Sequence, residues 1–333
     1  MIRETVWLFT LGVAVAMSGT PLHAADVQRA APLELVQTIR LADVRGRIDH
    51  LAVDNEGERL FVAALGNDSV EVVDLHAGIG IARITGLREP QGIGYVAGAN
   101  RLLVANAGGG VDLFEASTLR HVSQIEGLDD ADNVRLETAT GNAYVGYGHA
   151  LAAIDLATGK LLETIRLAGH PESFQLESAG TRIFVNVPTA SQIAVVDRSN
   201  KAVVGTWKIG DKQANFPMAL DEVNGRLFVA TRKPASLLVF DAQSGARKAD
   251  LPIGGDADDL FYDAKRKRLY VICGAGVVDV VEQKDADHYE RAAEIHTMRG
   301  ARTGLFVPAR DALFVAVPSQ AGAPAEIRVF ATR

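Results

Sequence analysis

Arg59–Asp74 reads RLFVAALGNDSVEVVD, and the chain repeats this phrase along its length. Leu60-Phe61-Val62-Ala63 is a short apolar run suited to a strand buried on both faces. Gly66-Asn67-Asp68 carries turn chemistry, and Val70, Val72 and Val73 restart a strand. The phrase returns as RLLVA at Arg101, NAYVG at Asn142, RIFVN at Arg182, RLFVA at Arg226, RLYVI at Arg268 and ALFVA at Ala312. Its valines are Val62, Val104, Val145, Val185, Val229, Val271 and Val315, at spacings of 42, 41, 40, 44, 42 and 44 residues. Strand-rich units at this period predict an all-β fold, a seven-bladed β-propeller with one four-stranded antiparallel sheet per blade. A β-helix has a shorter period, and helical repeats need a helical periodicity that is missing here.

Working outward, Leu33–Leu41 (LELVQTIRL) resembles Leu161–Leu167 (LLETIRL), which follows a strand-turn-strand unit at the outer-strand position. The seventh unit ends at Ile327-Arg328-Val329-Phe330 with no such strand left. The N-terminal strand is therefore expected to complete the last blade, closing the ring and covering an edge. The sixth repeat carries a longer charged segment at Glu282–Ile295, expected as a helical turn or an extended hairpin. The seventh inserts a Pro/Gly loop at Ser319–Glu326.

Upstream, Arg3 precedes an apolar stretch from Val6 to Met17, and Leu22-His23-Ala24 offers a cleavage site before Ala25. This predicts a signal peptide over residues 1–24, a tether over 25–32 and a single propeller over 33–333 in the periplasm. The apolar run is short for a membrane span, so none is expected in the mature chain. Cys273 is the only cysteine, so an exported chain has no internal disulfide. A net charge of −7 argues against nonspecific nucleic-acid binding, and a monomer is expected.

The repeated phrase resembles the YVTN-repeat, YncE-like family of β-propellers. Val104-Ala105-Asn106 and Arg226-Leu227-Phe228-Val229-Ala230 carry the likeness best, and Tyr144-Val145-Gly146-Tyr147 is the nearest version of the tetrad, which is not present literally. The resemblance covers essentially the whole mature chain. It implies an exported seven-bladed propeller; some relatives carry lactonase-type names, but no residue motif here transfers that activity.

The repeat register also lists candidate site residues. Thirteen positions before each repeat valine stand Asp49, Gln91, Asp132, Glu172, Phe216, Asp258 and Arg302. Twelve before stand His50, Gly92, Asn133, Ser173, Pro217, Asp259 and Thr303. They precede the innermost strands, at one mouth of the central channel, and they vary while the strand phrase stays constant. Arg232, with Asn67, His149, Lys233 and Cys273, falls in loops of the same face. The expected ligand-binding set is Asp49, His50, Asp132, Asn133, Glu172, Arg232, Asp258, Asp259 and Arg302.

Three chemistries are open to this set. Asp132 and Glu172, with Asn133 and His170 beside them, could hold a divalent cation, with Ca²⁺ favoured by oxygen ligands. His50 with Asp49 could act as acid and base, and Arg302 could hold an anion. Against this, Arg302 is expected between Asp258 and Asp49 as a self-satisfied network, the favoured reading. Cys273 as a nucleophile lacks a neighbouring His. There is no G-x-S-x-G elbow, P-loop, dinucleotide fingerprint or haem motif. The sequence thus points to a binding or scaffold propeller with a small-molecule or protein ligand. A metal-assisted, lactonase-like hydrolase is the alternative, and fold alone does not choose between them.

Overall fold

The computed structural model describes residues 1, 2, 4, 31–54, 56, 58–320 and 322–333. Nearly all of the expected signal peptide and of the tether lies outside the described residues. Two compact units are distinguished, Met1–Ala30 and Ala31–Arg333. The second consists of seven four-stranded antiparallel sheets. No helix among the described residues is long and apolar enough to cross a membrane.

The first blade shows why the phrase makes this fold. Its strands run Leu51–Val53, Arg59–Ala64, Ser69–Asp74 and Ile79–Ile84 from the centre outward. The second and third are the repeated phrase, and almost all of their residues are buried, whereas the outer strand is exposed except at Ile84. Blades stack face against face, so a middle strand buries both of its faces and needs a continuous apolar run rather than alternation. Seven apolar clusters lie between successive blades, and the first packs Leu60 and Val62 of blade one against Phe314 and Ile327 of blade seven.

Leu33–Leu41 pairs antiparallel with Ala325–Thr332, from Leu33 opposite Thr332 to Leu41 opposite Ala325. Blade seven is thus completed by the N-terminal strand, with Ile39 and Leu41 buried in the seam. The sixth repeat resolves as an extended hairpin, Val277–Gln283 and Tyr289–His296, with no helical turn. Its tight turn is closed by a 2.8 Å bond from Lys284 N–H to His288 O.

One irregularity recurs where each innermost strand begins. In blade one, Asp49 N–H donates to Ala63 O at 2.8 Å, and Ala63 N–H donates to His50 O at 3.1 Å. Two residues therefore face one, which is a β-bulge. Asp132 and Asn133 face Gly146 in the same way, and Glu172 and Ser173 face Asn186. In blade seven, Ala316 N–H donates to Thr303 O. The pairing register shifts at the same place between Pro90 and Ile93, Asn215 and Met218, and Ala257 and Asp259. The bulge interrupts the ladder at the mouth, where the residues beside it line the channel.

Candidate functional site

A cavity of about 190 Å³ opens at the bulged end of the channel. All seven residues of the position thirteen before the repeat valine line it: Asp49, Gln91, Asp132, Glu172, Phe216, Asp258 and Arg302. His50, Asn133 and Arg232 line it as well. Asp259 instead lines the adjoining 440 Å³ channel, which shares His50 and Ser173 with the mouth. Asn67, His149, Lys233 and Cys273 are not among the lining residues. Asn67 accepts from Arg45 N–H at 3.1 Å and donates to Asp43 O at 3.1 Å, so it fixes a loop. Cys273 is wholly buried between blades five and six, and burial pushes its thiol far up, away from the thiolate a nucleophile needs.

The register also accounts for Arg47, Asp130 and Asp256, which the sequence reading passed over, and for His170, which it placed beside Glu172. Fifteen positions before the valines stand Arg47, Asp130, His170 and Asp256. Three of them line the mouth, and Asp256 pairs with the mouth arginines. The intervening position holds Ile48, Ala131, Pro171, Ala257 and Ala301, all buried. This is two-residue alternation approaching the bulge: odd positions look into the mouth and the even one into the core. Arg47 reaches Asp49 at 2.6 Å from a loop pinned by the Gly66 turn. A Cβ on Gly66 would lie 2.8 Å from Arg47 N, so only glycine lets the two backbones meet. Gly92 has the same function between blades two and three, since a Cβ there would stand 2.0 Å from Asp132 O.

On the side built by blades five to seven, each charge has a partner. Arg232 bonds Asp258, lies 3.4 Å from Asp256 and donates to Ala257 O at 2.9 Å. Its guanidinium lies 3.7 Å from the centroid of the Phe216 ring, a cation–π contact. Arg302 reaches Asp256 at 3.1 Å and Asp258 at 3.7 Å. The expectation that Arg302 sits between Asp258 and Asp49 is thus half corrected. Arg47 of the same loop already holds Asp49, and Arg302 leans back toward blade six. Burial, only partly offset by Arg232, leaves the Asp258 carboxyl raised to about 6.

His50 stands at the centre. Its Nδ1 is 3.5 Å from Asp259, and its Nε2 is 3.6 Å from Asp49 and 3.7 Å from Asp132. Burial pulls its pKa down, but Asp259, Asp49 and Asp132 outweigh this and push it up to about 10. At neutral pH the ring is an imidazolium. In that state it donates hydrogen bonds and neutralises carboxylates.

On the side built by blades three and four, the balance fails. Asp132 is 7% exposed and Asn133 2%, and Asp132 Oδ1 and Asn133 Oδ1 are buried without a hydrogen bond. The His50 contact is long, and Glu172 has no ion pair among the described residues. Burial, and then the neighbouring carboxylates, raise Asp132 to about 7 and Glu172 to about 9. His170 Nδ1 is 3.1 Å from Gly148 O and 3.3 Å from Asp130. The arrangement concentrates uncompensated carboxyl groups at one wall of a small polar cavity, where a proton or a cation would complete them.

No family model matches the chain, and no curated protein matches it in sequence. Solved structures do. Hydrazine synthase of Kuenenia stuttgartiensis superposes with a TM-score of 0.75 at 16% identity, over 87% of this chain and 97% of that one. The WD40 repeats of RRP9 give 0.78 at 11% identity, over 90% and 100%. At such identities the likeness shows the seven-bladed propeller fold and nothing finer.

Proposed function

We propose that the protein is an exported, periplasmic propeller of the YVTN-repeat, YncE-like type that binds a small polar ligand at the channel mouth. The observation that carries this reading is the convergence of the seven unrepeated positions, one per blade, on a single cavity. A packing role would favour the same residue in each blade, as the strand phrase does. The residues here instead run through carboxylate, amide, aromatic ring and guanidinium. At about 190 Å³ the mouth is smaller than a typical drug-sized site. It suits an ion or a molecule of a few heavy atoms, with the adjoining channel available for an apolar extension past Leu51, Ile93 and Leu305. The export half of the reading rests on the amino-terminal sequence.

Native mass spectrometry of the protein taken from the periplasmic fraction, with thermal-shift screening of small polar metabolites, tests the proposal. The expected result is a mature chain starting near Ala25 and a ligand whose thermal shift is lost in Phe216→Ala and Asp258→Asn. A ligand unaffected by both substitutions, or a chain that keeps Met1 and sediments with membranes, would overturn it.

A further inference from the structure

We propose that Asp132, His170 and Glu172 form a binding site for a first-row divalent cation, with Asn133 Oδ1 as a further oxygen donor. The inference rests on reading the mouth as a binding site and names what its blade three and four wall takes. One potential ligand atom from each of Asp132, His170 and Glu172 lies within 4.8 Å of those of the other two. Carboxylates in proximity do not make a site by themselves. Two independent observations point to a ligand here. The first is that Asp132 Oδ1 and Asn133 Oδ1 are buried, lack any hydrogen bond, and belong to residues lining the cavity. Buried acceptors left this way incur the full desolvation cost unless something positive meets them.

The second is the tautomer of His170. Gly148 O, 3.1 Å from Nδ1, can only accept, so Nδ1 carries the hydrogen. The neutral ring then has its lone pair on Nε2, as a metal ligand requires. The Asp130 carboxylate, 3.3 Å from the same Nδ1, completes the carboxylate–histidine arrangement that commonly orients a metal-bound imidazole. The other His–carboxylate group, Asp49, His50 and Asp132, lacks this feature. His50 has a carboxylate near each ring nitrogen and no backbone carbonyl that fixes which one carries the hydrogen.

The imidazole also decides the class of ion. Oxygen donors alone favour Ca²⁺, but one nitrogen with two carboxylates and an amide suits Mn²⁺, Fe²⁺ or Zn²⁺ better. The closing experiment strips the full-length mature protein with chelator, confirms metal loss by elemental analysis and titrates Mn²⁺, Zn²⁺ and Ca²⁺ calorimetrically. One Mn²⁺ or Zn²⁺ per chain is expected, with Ca²⁺ weaker. Asp130→Asn is expected to weaken the ion about 10-fold, and Glu172→Gln and His170→Ala by more than about 100-fold. Circular dichroism checks that each variant is folded. Lys265→Met, on the surface and outside the mouth, should leave the affinity unchanged.

Absence of Mn²⁺ and Zn²⁺ binding up to millimolar concentration would overturn the site. So would undiminished binding in Glu172→Gln and His170→Ala, or a preference for Ca²⁺. Running the metabolite screen on the stripped protein separates the two proposals. Failure to bind Mn²⁺ or Zn²⁺, with a metabolite still sensitive to Phe216→Ala, sinks the metal alone. An ion lost with Glu172→Gln, but no metabolite sensitive to Phe216→Ala, sinks the wider reading of the mouth.

Discussion

The two walls of the channel mouth are built by the same bulge from the same repeat, yet they are electrostatically opposite. On the blade five to seven wall, Arg232 and Arg302 share Asp256 and Asp258 and leave no charge over. On the blade three and four wall, Asp132 has only His50 at 3.7 Å, and Glu172 has no ion pair among the described residues, with Arg232 and His50 acting on it from a distance. The first wall resembles a structural ion-pair network, whose removal one side at a time is costly. The second carries a deficit that folding alone does not repair. A carboxylate count over the whole mouth would miss this difference.

The comparison breaks first at Arg232. Replacement by methionine leaves Asp258, whose side chain is 12% exposed, with only the 3.7 Å contact to Arg302. It also removes the guanidinium from the Phe216 ring. Breaking a buried pair costs roughly 3–5 kcal/mol, and the remaining Arg302 reduces this to about 2–3 kcal/mol. Urea denaturation of Arg232→Met checks it. A loss below about 0.5 kcal/mol would mean that the paired wall is not structural.

pH acts next, on the deficient wall of chelated protein. The folded state holds protons on Asp132, Glu172 and His50 more tightly than the unfolded chain. For the carboxyls, the cost of ionising in the fold grows as pH rises from the ordinary values of 3.8 and 4.5 toward about 7 and about 9. For His50 the stabilisation is full below 6.5 and is lost as pH rises through about 10. The signs agree, so stability should fall as pH rises from roughly 6 to 9.5. Denaturant midpoints across that range measure it; a flat or rising profile would show that the fold tolerates the ionised carboxylates.

Glu172→Gln should then act opposite to Arg232→Met. At about pH 8, removing a buried ionisable group that lacks a partner should stabilise chelated protein by about 1 kcal/mol. A melting curve decides the sign. Destabilisation would mean that Glu172 has a cationic partner in the resting protein after all, and the contrast between the walls would disappear.

How much of this was legible in the sequence follows from which forces repeat. The middle strands bury both faces in every blade, so their apolar runs had to recur, and the recurrence located seven blades and the strand that closes them. The positions thirteen and twelve before each valine were readable because the bulge holds them at a constant offset. Arg47, Asp130 and Asp256 were not, although they lie two residues earlier on the same alternation; a buried Ile48 or Ala257 between them marks the pattern. Side-chain partners were legible least of all. Asp49 could be read as Arg302's neighbour because neighbouring blades are adjacent, but which guanidinium bends toward which carboxylate is set by loop geometry such as the Gly46–Gly66 approach.

The smallest expected effect tests that last point. With Asp49 held by Arg47 at 2.6 Å, and Asp258 by Arg232, Arg302→Met removes only a second partner from Asp258 and one contact from the half-exposed Asp256. Solvent screens Asp256, and Arg232 remains 3.4 Å from it. The loss should therefore be about 0.5–1 kcal/mol, well under that of Arg232→Met. The double variant should lose more than the sum of the two, because the second substitution leaves Asp258 with no cation. A double-mutant cycle measured by urea denaturation gives both numbers. If Arg302→Met alone costs as much as Arg232→Met, Arg302 has a second carboxylate partner in solution. Asp49 would be the first to examine, by adding Asp49→Asn to the cycle.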